Sequence, residues 1–368
     1  MTLAILGIGT AVPDTLVTQA DALNIARALC CRTKEHETWL PTMYDGTGIE
    51  TRHLCLGGDL VRDVLDGTKH SGSVFLPTGA ADDRGPTTAE RMRHYANSAP
   101  PLALTASRNA LDSSGLPASA LTHLITVSCT GFLAPGLDVA LIRGLGLAPT
   151  VQRTHIGYMG CHGALNGLRV ARAFTDSDPD ARVLVCAVEL CCIHYHYGWD
   201  PQKMIANAIF GDGAAAVVAA PQRIAPSEAW RVTASGSCLV PNSADAMTWS
   251  VGDHGFEMTL SKRVPSLIAT HLRPWLEDWL GGEGLALEDV ATWAVHPGGP
   301  RILTAVEAAL RLPALAMAAA RAVFAEFGNM SSPTVLFILD RLRREGAPRP
   351  CVALGFGPGL MAEGLLLR

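Results

Sequence analysis

Apolar positions along the chain fall into two kinds of run. Six short runs are rich in β-branched and apolar residues and bounded by turn signals: Leu3–Gly9, Thr122–Gly131, Ala181–Leu190, Gly213–Ala220, Thr292–Gly299 and Cys351–Gly359. They carry no alternation of polar positions, which predicts strands buried on both faces. Four other segments repeat apolar residues at helical spacing: Pro101–Ser114, His162–Thr175, Pro300–Leu310 and Ser332–Arg344. Doubly buried strands alternating with helices predict a layered α/β fold. Gly57–Gly85, rich in Gly, Asp and Ser, reads as an irregular excursion. A soft stretch, Pro221–Glu228, divides the chain in two. Each part holds a strand that ends in a polar turn, VSCTG in the first and AVHPGG in the second, which hints at internal duplication.

Composition narrows the function classes. The 368 residues are 48% apolar, enough for a large core. The 29 basic residues are scattered against 34 acidic ones, so no stripe tracks a nucleic-acid backbone. No apolar stretch reaches the ~18 residues of a membrane span. The first residues, MTLAILGIGTAVPD, read as a buried strand and not as a signal peptide. Several of the ten cysteines lie inside apolar runs such as VLVCAVELCC, which fits reduced thiols in a cytoplasm. No metal is expected at CCIHYHYGWD. Adjacent cysteines have the wrong spacing, and on a strand His194 and His196 would point to opposite faces. GIGTAVP lacks the third glycine of a dinucleotide fingerprint.

Chemistry enters at HIGYMGCHGALNG. Cys161 stands where a strand turns into a helix, between Gly160 and, one residue beyond, Gly163. A helix start lowers a thiol pKa, above all beside a histidine cation, so the placement suits a thiolate nucleophile. A buried structural cysteine fits the local stretch as well. His296, before the rigid turn Pro297–Pro300, and Asn329, in EFGNMSS, are the candidate partners. Each has an ordinary reading: a histidine bonded at a strand end, and a helix N-cap. Together they offer two donors to one thioester oxygen. GFGPGL at Gly355–Leu360 reads as a glycine loop for close backbone approach, or as a plain turn.

GYMGCHGALNGLRVA, NAIFGDGAAAVV, WAVHPGGPRIL, EFGNMSSPTVLFILDRL and GFGPGLMAEGLLLR stand in the order found in type III polyketide synthases. The chain resembles that chalcone synthase-like family from about residue 3 to its end. RGPTTAERMRHYANSAPPLAL and VSCTGFLAPG are similar to its bacterial branch. The resemblance implies an α/β, layered αβαβα thiolase-like fold made of two similar halves, residues 1–222 and 229–368. Cys161 would accept the acyl group, and His296 and Asn329 would hold the malonyl thioester oxygen. Phe210 would be the gatekeeper. The second gatekeeper falls on Met258, with Phe256 nearby as an alternative. Cys129, Cys191, His194, Trp249 and Ser331 would line the cavity, and Arg52 would bind CoA. The dimer-crossing methionine of the family falls on Ala134.

The implied reaction loads an acyl-CoA starter and extends it by repeated decarboxylative condensation with malonyl-CoA, followed by cyclisation. Substrates are CoA thioesters, with no cofactor and no metal, in a cytoplasmic homodimer. The apparently roomy cavity points to a fatty acyl starter and an alkylpyrone or alkylresorcinol product. Two rivals stand beside this reading. One is an initiating ketoacyl synthase, with one condensation on acyl carrier protein. The other is a catalytically silent binding homologue.

Overall fold

The computed structural model of the chain describes residues 2–368. Among them, nine strands join in one mixed sheet. They are β1 (Leu3–Ala11), β2 (His123–Ser128), β3 (Gln152–Gly157), β4 (Val183–Leu190), β5 (Asp212–Pro221), β6 (Arg231–Leu239), β7 (Thr292–Val295), β8 (Cys351–Gly357) and β9 (Met361–Leu367). Their spatial order is β7-β8-β9-β6-β1-β5-β4-β2-β3. Each half of the chain supplies one contiguous block of strands. The blocks meet where β1 runs antiparallel to β6, at Leu3 opposite Val232 and Ala4 opposite Arg231.

All six apolar runs are strands, and β4 and β5 are buried at every position. The strands that the pattern did not announce are β3, β6 and β9. β3 is a half-exposed edge strand, QRTHIG, whose polar residues hide it.

Six helices matter for the site: α1 (Thr88–Ser114), α2 (Gly163–Ser177), α3 (Pro201–Ile209), α4 (Val264–Gly282), α5 (Pro300–Leu310) and α6 (Thr334–Arg344). α2 packs on β2 and β4 of one block and on β8 and β9 of the other, and α6 likewise touches β1, β5, β7 and β8. These two form the central layer, which is why both are buried along most of their length. α1 covers the outer face of β1, β5 and β4. α4 covers the other block, its Trp279 fitting over Gly236 and Gly364, where any side chain would collide with the indole. The result is the layered αβαβα arrangement.

α1 departs from expectation. It begins at Thr88, not Pro101, behind a capping box in which Thr87 and Glu90 satisfy each other's backbone N–H groups. Pro100 and Pro101 lie inside it. The buried stripe Tyr95, Ala99, Ala103 and Ala106 holds the helix together across them, overriding the usual cost of an internal proline. The irregular excursion holds one short helix, Gly58–Asp66. Its Asp63 accepts bonds from His70 N and Ser71 N at 2.9 and 2.6 Å and from the Thr68 hydroxyl, tying down the loop that follows. A hairpin, Met247–Gly252 with Gly255–Leu260, reaches over the cavity beside Cys161.

Candidate active site

Cys161 occupies a single 3-10 turn, Gly160–His162, that feeds α2. Gly160 sits at φ +75°, and a Cβ there would lie 2.5 Å from Pro358 Cδ of the glycine loop. A left-handed backbone pressed against another loop requires glycine, so GFGPG acts as the back wall of the nucleophile turn.

Asn329 is buried and is not a helix N-cap. The helix α6 begins at Thr334 after Pro333, and the Thr334 hydroxyl accepts from Met330 N at 2.9 Å. Asn329 is clamped by its backbone instead: its N–H donates to Ile209 O at 2.8 Å, and Gly211 N donates to its carbonyl at 3.0 Å. This bridge sets Asn329 beside Phe210. Its side-chain Oδ1 accepts from Ser331 N at 2.8 Å, which leaves the NH2 group free to donate toward the thiol. His296 follows β7 and is fully buried, its N–H held by Leu354 O at 2.8 Å. Neither of its ring nitrogens has a hydrogen-bond partner.

Burial works against the thiolate expected at the helix start. Cys161 keeps some exposure to the cavity, yet burial pushes its thiol up to about 11. Hydrogen bonds from Ser331 and Asn329 oppose that rise, and the charge of Glu189 adds to it. Burial also pushes His296 down to about 3, helped by nearby His162. Burial thus favours the neutral thiol and the neutral imidazole over a thiolate and a cation. The single turn of partial charge at the helix start does not outweigh desolvation.

One cavity of about 460 Å³ is lined by Cys161, Phe210, Cys129, Cys191, His194, Trp249, Phe256, Met258 and Ser331. His296, Asn329 and Arg52 are not on its wall. Phe210 ends α3. Phe256 and Met258 share one face of the hairpin. Phe256 is locked in an aromatic cluster, stacked on His194 at 4.2 Å and edge-on to Trp249. Met258 packs against the apolar cluster that includes Phe210 and Cys161. Trp249 is pinned by its indole N–H on Cys129 O at 2.7 Å.

Two sequence-based assignments need correction. Arg52 cannot hold CoA. It is fully buried, and its guanidinium donates to the carbonyls of Asn207, Ala208 and Phe210 at 3.0, 2.7 and 2.9 Å and to Gln19. It shapes the backbone under Phe210 instead. Cys191–His194 form a 3-10 turn and not a strand, so His194 and His196 both face the cavity. His194 Nε2 donates to Thr130 O at 2.7 Å, and Nδ1 accepts from Phe256 N at 3.0 Å. Burial pushes it down to about 3, so it is a neutral wall residue.

Sequence reading missed Glu189, at the end of β4. It is fully buried and accepts from Cys129 N at 2.9 Å, Thr130 N at 3.0 Å, Thr130 Oγ1 at 2.7 Å and Ser332 Oγ at 2.6 Å. The available signal was a single carboxylate at the end of an otherwise apolar run. Also missed was the charged rim of the cavity: Asp82, Asp83, Arg84, Asp200, Lys203, Asp253 and Glu257.

The whole chain matches the models for chalcone and stilbene synthases, the N-terminal domain over residues 2–222 and the C-terminal domain over 231–368. It belongs to that family, the type III polyketide synthases, and is an acyltransferase-type enzyme with the family's α/β thiolase-like fold. It is 31% identical to an alpha-pyrone synthesis polyketide synthase-like protein, Pks18, of Mycobacterium tuberculosis, covering 98% of this chain and 89% of the relative. It is also 31% identical to a 1,3,6,8-tetrahydroxynaphthalene synthase of Streptomyces peucetius, covering 99% and 93%. Among solved structures it resembles PKS-I of the brown alga Ectocarpus siliculosus, with a TM-score of 0.90, 32% identity, and 100% and 98% of the two chains covered. These relatives give no support to the ketoacyl synthase or silent-homologue readings.

Proposed function

We propose that Cys161 accepts the starter acyl group and that His296 and Asn329 drive the malonyl chemistry. The observation that carries this is the convergence of Asn329 and Ser331 on the Cys161 thiol at the cavity wall, with His296 buried and both its ring nitrogens unpartnered. The neutral imidazole takes the thiol proton as the sulfur attacks the acyl-CoA carbonyl, and returns it to the departing CoA thiolate. When malonyl-CoA follows, the Asn329 NH2 and the His296 N–H donate to its thioester oxygen. They stabilise the enolate left as carbon dioxide departs. The enolate carbon attacks the acyl thioester and the chain grows by two carbons.

Phe210 and Met258 form the gate, both lining the cavity while Phe256 is stacked on His194. Cys129, Cys191, His194, Trp249 and Ser331 shape the growing chain. The starter is a fatty acyl group, and the product an alkylpyrone or alkylresorcinol. The cavity of about 460 Å³, bounded by Cys161 and by charged residues such as Asp253 and Asp82, leaves room for a flexible acyl chain. The name of the mycobacterial relative points the same way. The enzyme works as a homodimer in the reducing cytoplasm, where a free catalytic thiol survives. Among the described residues no helix is long and apolar enough to cross a membrane.

The test is incubation with labelled malonyl-CoA and a panel of acyl-CoA starters, beside Cys161→Ala. Products holding two or more malonyl units, from medium or long acyl starters and from wild type alone, are expected. Preference for short aromatic starters, or for malonyl-CoA as its own starter, would overturn the fatty acyl assignment. A single condensation that needs carrier protein would overturn the iterative one.

A further inference from the structure

Two cysteines outside the cavity are in contact with each other. Cys55 follows the short strand Thr51–Leu54, and Cys192 lies in the 3-10 turn Cys191–His194. Their sulfurs are 3.5 Å apart, across 137 positions of sequence. Among the described residues no other two cysteine sulfurs are in contact. One carboxylate holds both backbones: Cys55 N donates to Asp212 Oδ2 at 2.7 Å, and Cys192 N donates to Oδ1 at 2.9 Å. The Cys192 S–H also donates to Oδ2, at 2.7 Å. The hydrogen between the two sulfurs is therefore the one on Cys55.

The pair is placed for a disulfide. Bonded sulfurs stand ~2.05 Å apart, so the gap has to close by roughly 1.5 Å. With both backbones anchored on a single carboxylate, small side-chain rotations have only that distance to cover. Cys55 is half-buried and Cys192 is buried. Cys192 lines a small apolar pocket of about 30 Å³ with Leu54, Leu56, Leu60 and Tyr195. That volume holds a molecule little larger than water. It suits hydrogen peroxide as the oxidant and shuts out a bulky peptide disulfide.

We propose that Cys55 and Cys192 form a reversible disulfide when the enzyme meets hydrogen peroxide, and that this cross-link reshapes the cavity wall. The Cys192 proton passes to Asp212 as the sulfur attacks one peroxide oxygen. The O–O bond breaks, and the departing hydroxide takes that proton from Asp212 and leaves as water. Cys192 is now a sulfenic acid. The Cys55 sulfur attacks it, the S–O bond breaks, and the hydroxide leaves with the Cys55 proton as a second water. Two thiols lose two electrons and two protons, and one peroxide becomes two waters.

Burial pushes the Cys192 thiol up to about 11 and raises Cys55 as well, so attack on peroxide depends on a base at the sulfur. Asp212 is that base. Burial raises its own proton affinity, which suits it to accept the Cys192 proton. The link to the cavity is covalent. Cys191, the residue before Cys192, lines the cavity, and His194 ends the same turn. Drawing the Cys192 sulfur off Asp212 and onto Cys55 pulls on that turn.

Full-length Cys161→Ala removes the cavity thiol that competes for oxidant. It is treated with near-stoichiometric hydrogen peroxide at neutral pH and mapped by mass spectrometry without reduction. The expected product joins the peptide of Cys55 to that of Cys192, is lighter by two hydrogens than their sum, and is released by a phosphine reductant. Adding Cys55→Ser or Cys192→Ser should abolish it. Absence of the joined peptide, or oxygen fixed on either sulfur beyond the reach of the reductant, would overturn the site. The effect on the wall rests on the role given above to Cys161. Wild type with its starter loaded, which covers Cys161, is oxidised and then supplied with malonyl-CoA. Extension is expected to fall several-fold, to recover with the reductant, and to be unaffected by peroxide in Cys55→Ser. Unchanged extension by enzyme whose disulfide has been mapped would overturn the effect on the wall. If wild type did not load at Cys161, the failure would lie with the reading of Cys161, and the joined peptide would still decide the disulfide.

Discussion

Two cysteines near the end of β4 meet buried carboxylates in opposite ways. Cys192 donates its thiol to Asp212 Oδ2 at 2.7 Å, and the backbone N–H groups of Cys55 and Cys192 donate to the same carboxylate. The Cys55 sulfur lies 3.5 Å from that of Cys192. That cluster is a closed clamp on the β5 strand start, every donor turned inward. Cys161 lies near Glu189, but Glu189 is saturated by Cys129, Thr130 and Ser332, so no carboxylate holds the Cys161 thiol. Its partners are Ser331 and Asn329, and it opens on the cavity. Burial raises the proton affinity of both thiols. What separates the proposed nucleophile from the clamped thiol is its access to the cavity.

The contrast can be broken by substitution. Cys161→Ala should abolish acyl loading, whereas Cys192→Ser should leave loading intact; a labelled-starter trapping assay reads both. Glu189→Ala should cost several kcal/mol, since it removes the acceptor of two backbone N–H groups and three hydroxyls at about 1–3 kcal/mol each. Its denaturant midpoint should fall well below that of wild type. Alkylation of Cys161 should speed up about tenfold per pH unit from neutral pH, because its titration lies near 11 and only the thiolate reacts. A rate flat from pH 6 upward would restore the thiolate that the helix-start argument implied. The smallest effect is on stability at Cys192→Ser, about 1 kcal/mol or less, as a hydroxyl still reaches Asp212. Thermal unfolding would detect it.

The strand cores were legible because β4 and β5 are apolar at nearly every position, a pattern that needs no partner to be read. The edge strand β3 was not, because half its residues face solvent. The start of α1 was hidden by Pro100 and Pro101, whose local cost long-range packing overrides. Arg52 looked available because sequence shows charge and not burial. Glu189 went unnoticed because its donors come from Ser128–Thr130 and Ser332, two other segments of the chain.

The sequence by itself determined the layered α/β class, the family and the three residues singled out for chemistry, because those rest on local periodicity and contiguous motifs. Only the tertiary structure decided the burial of Cys161 and His296, the diversion of Arg52 to backbone carbonyls, and the saturation of Glu189 by distant donors. Each depends on how far a group lies from water and on which distant donors reach it. Burial and hydrogen-bond partnership are properties of the packed chain, and no stretch of sequence holds them alone.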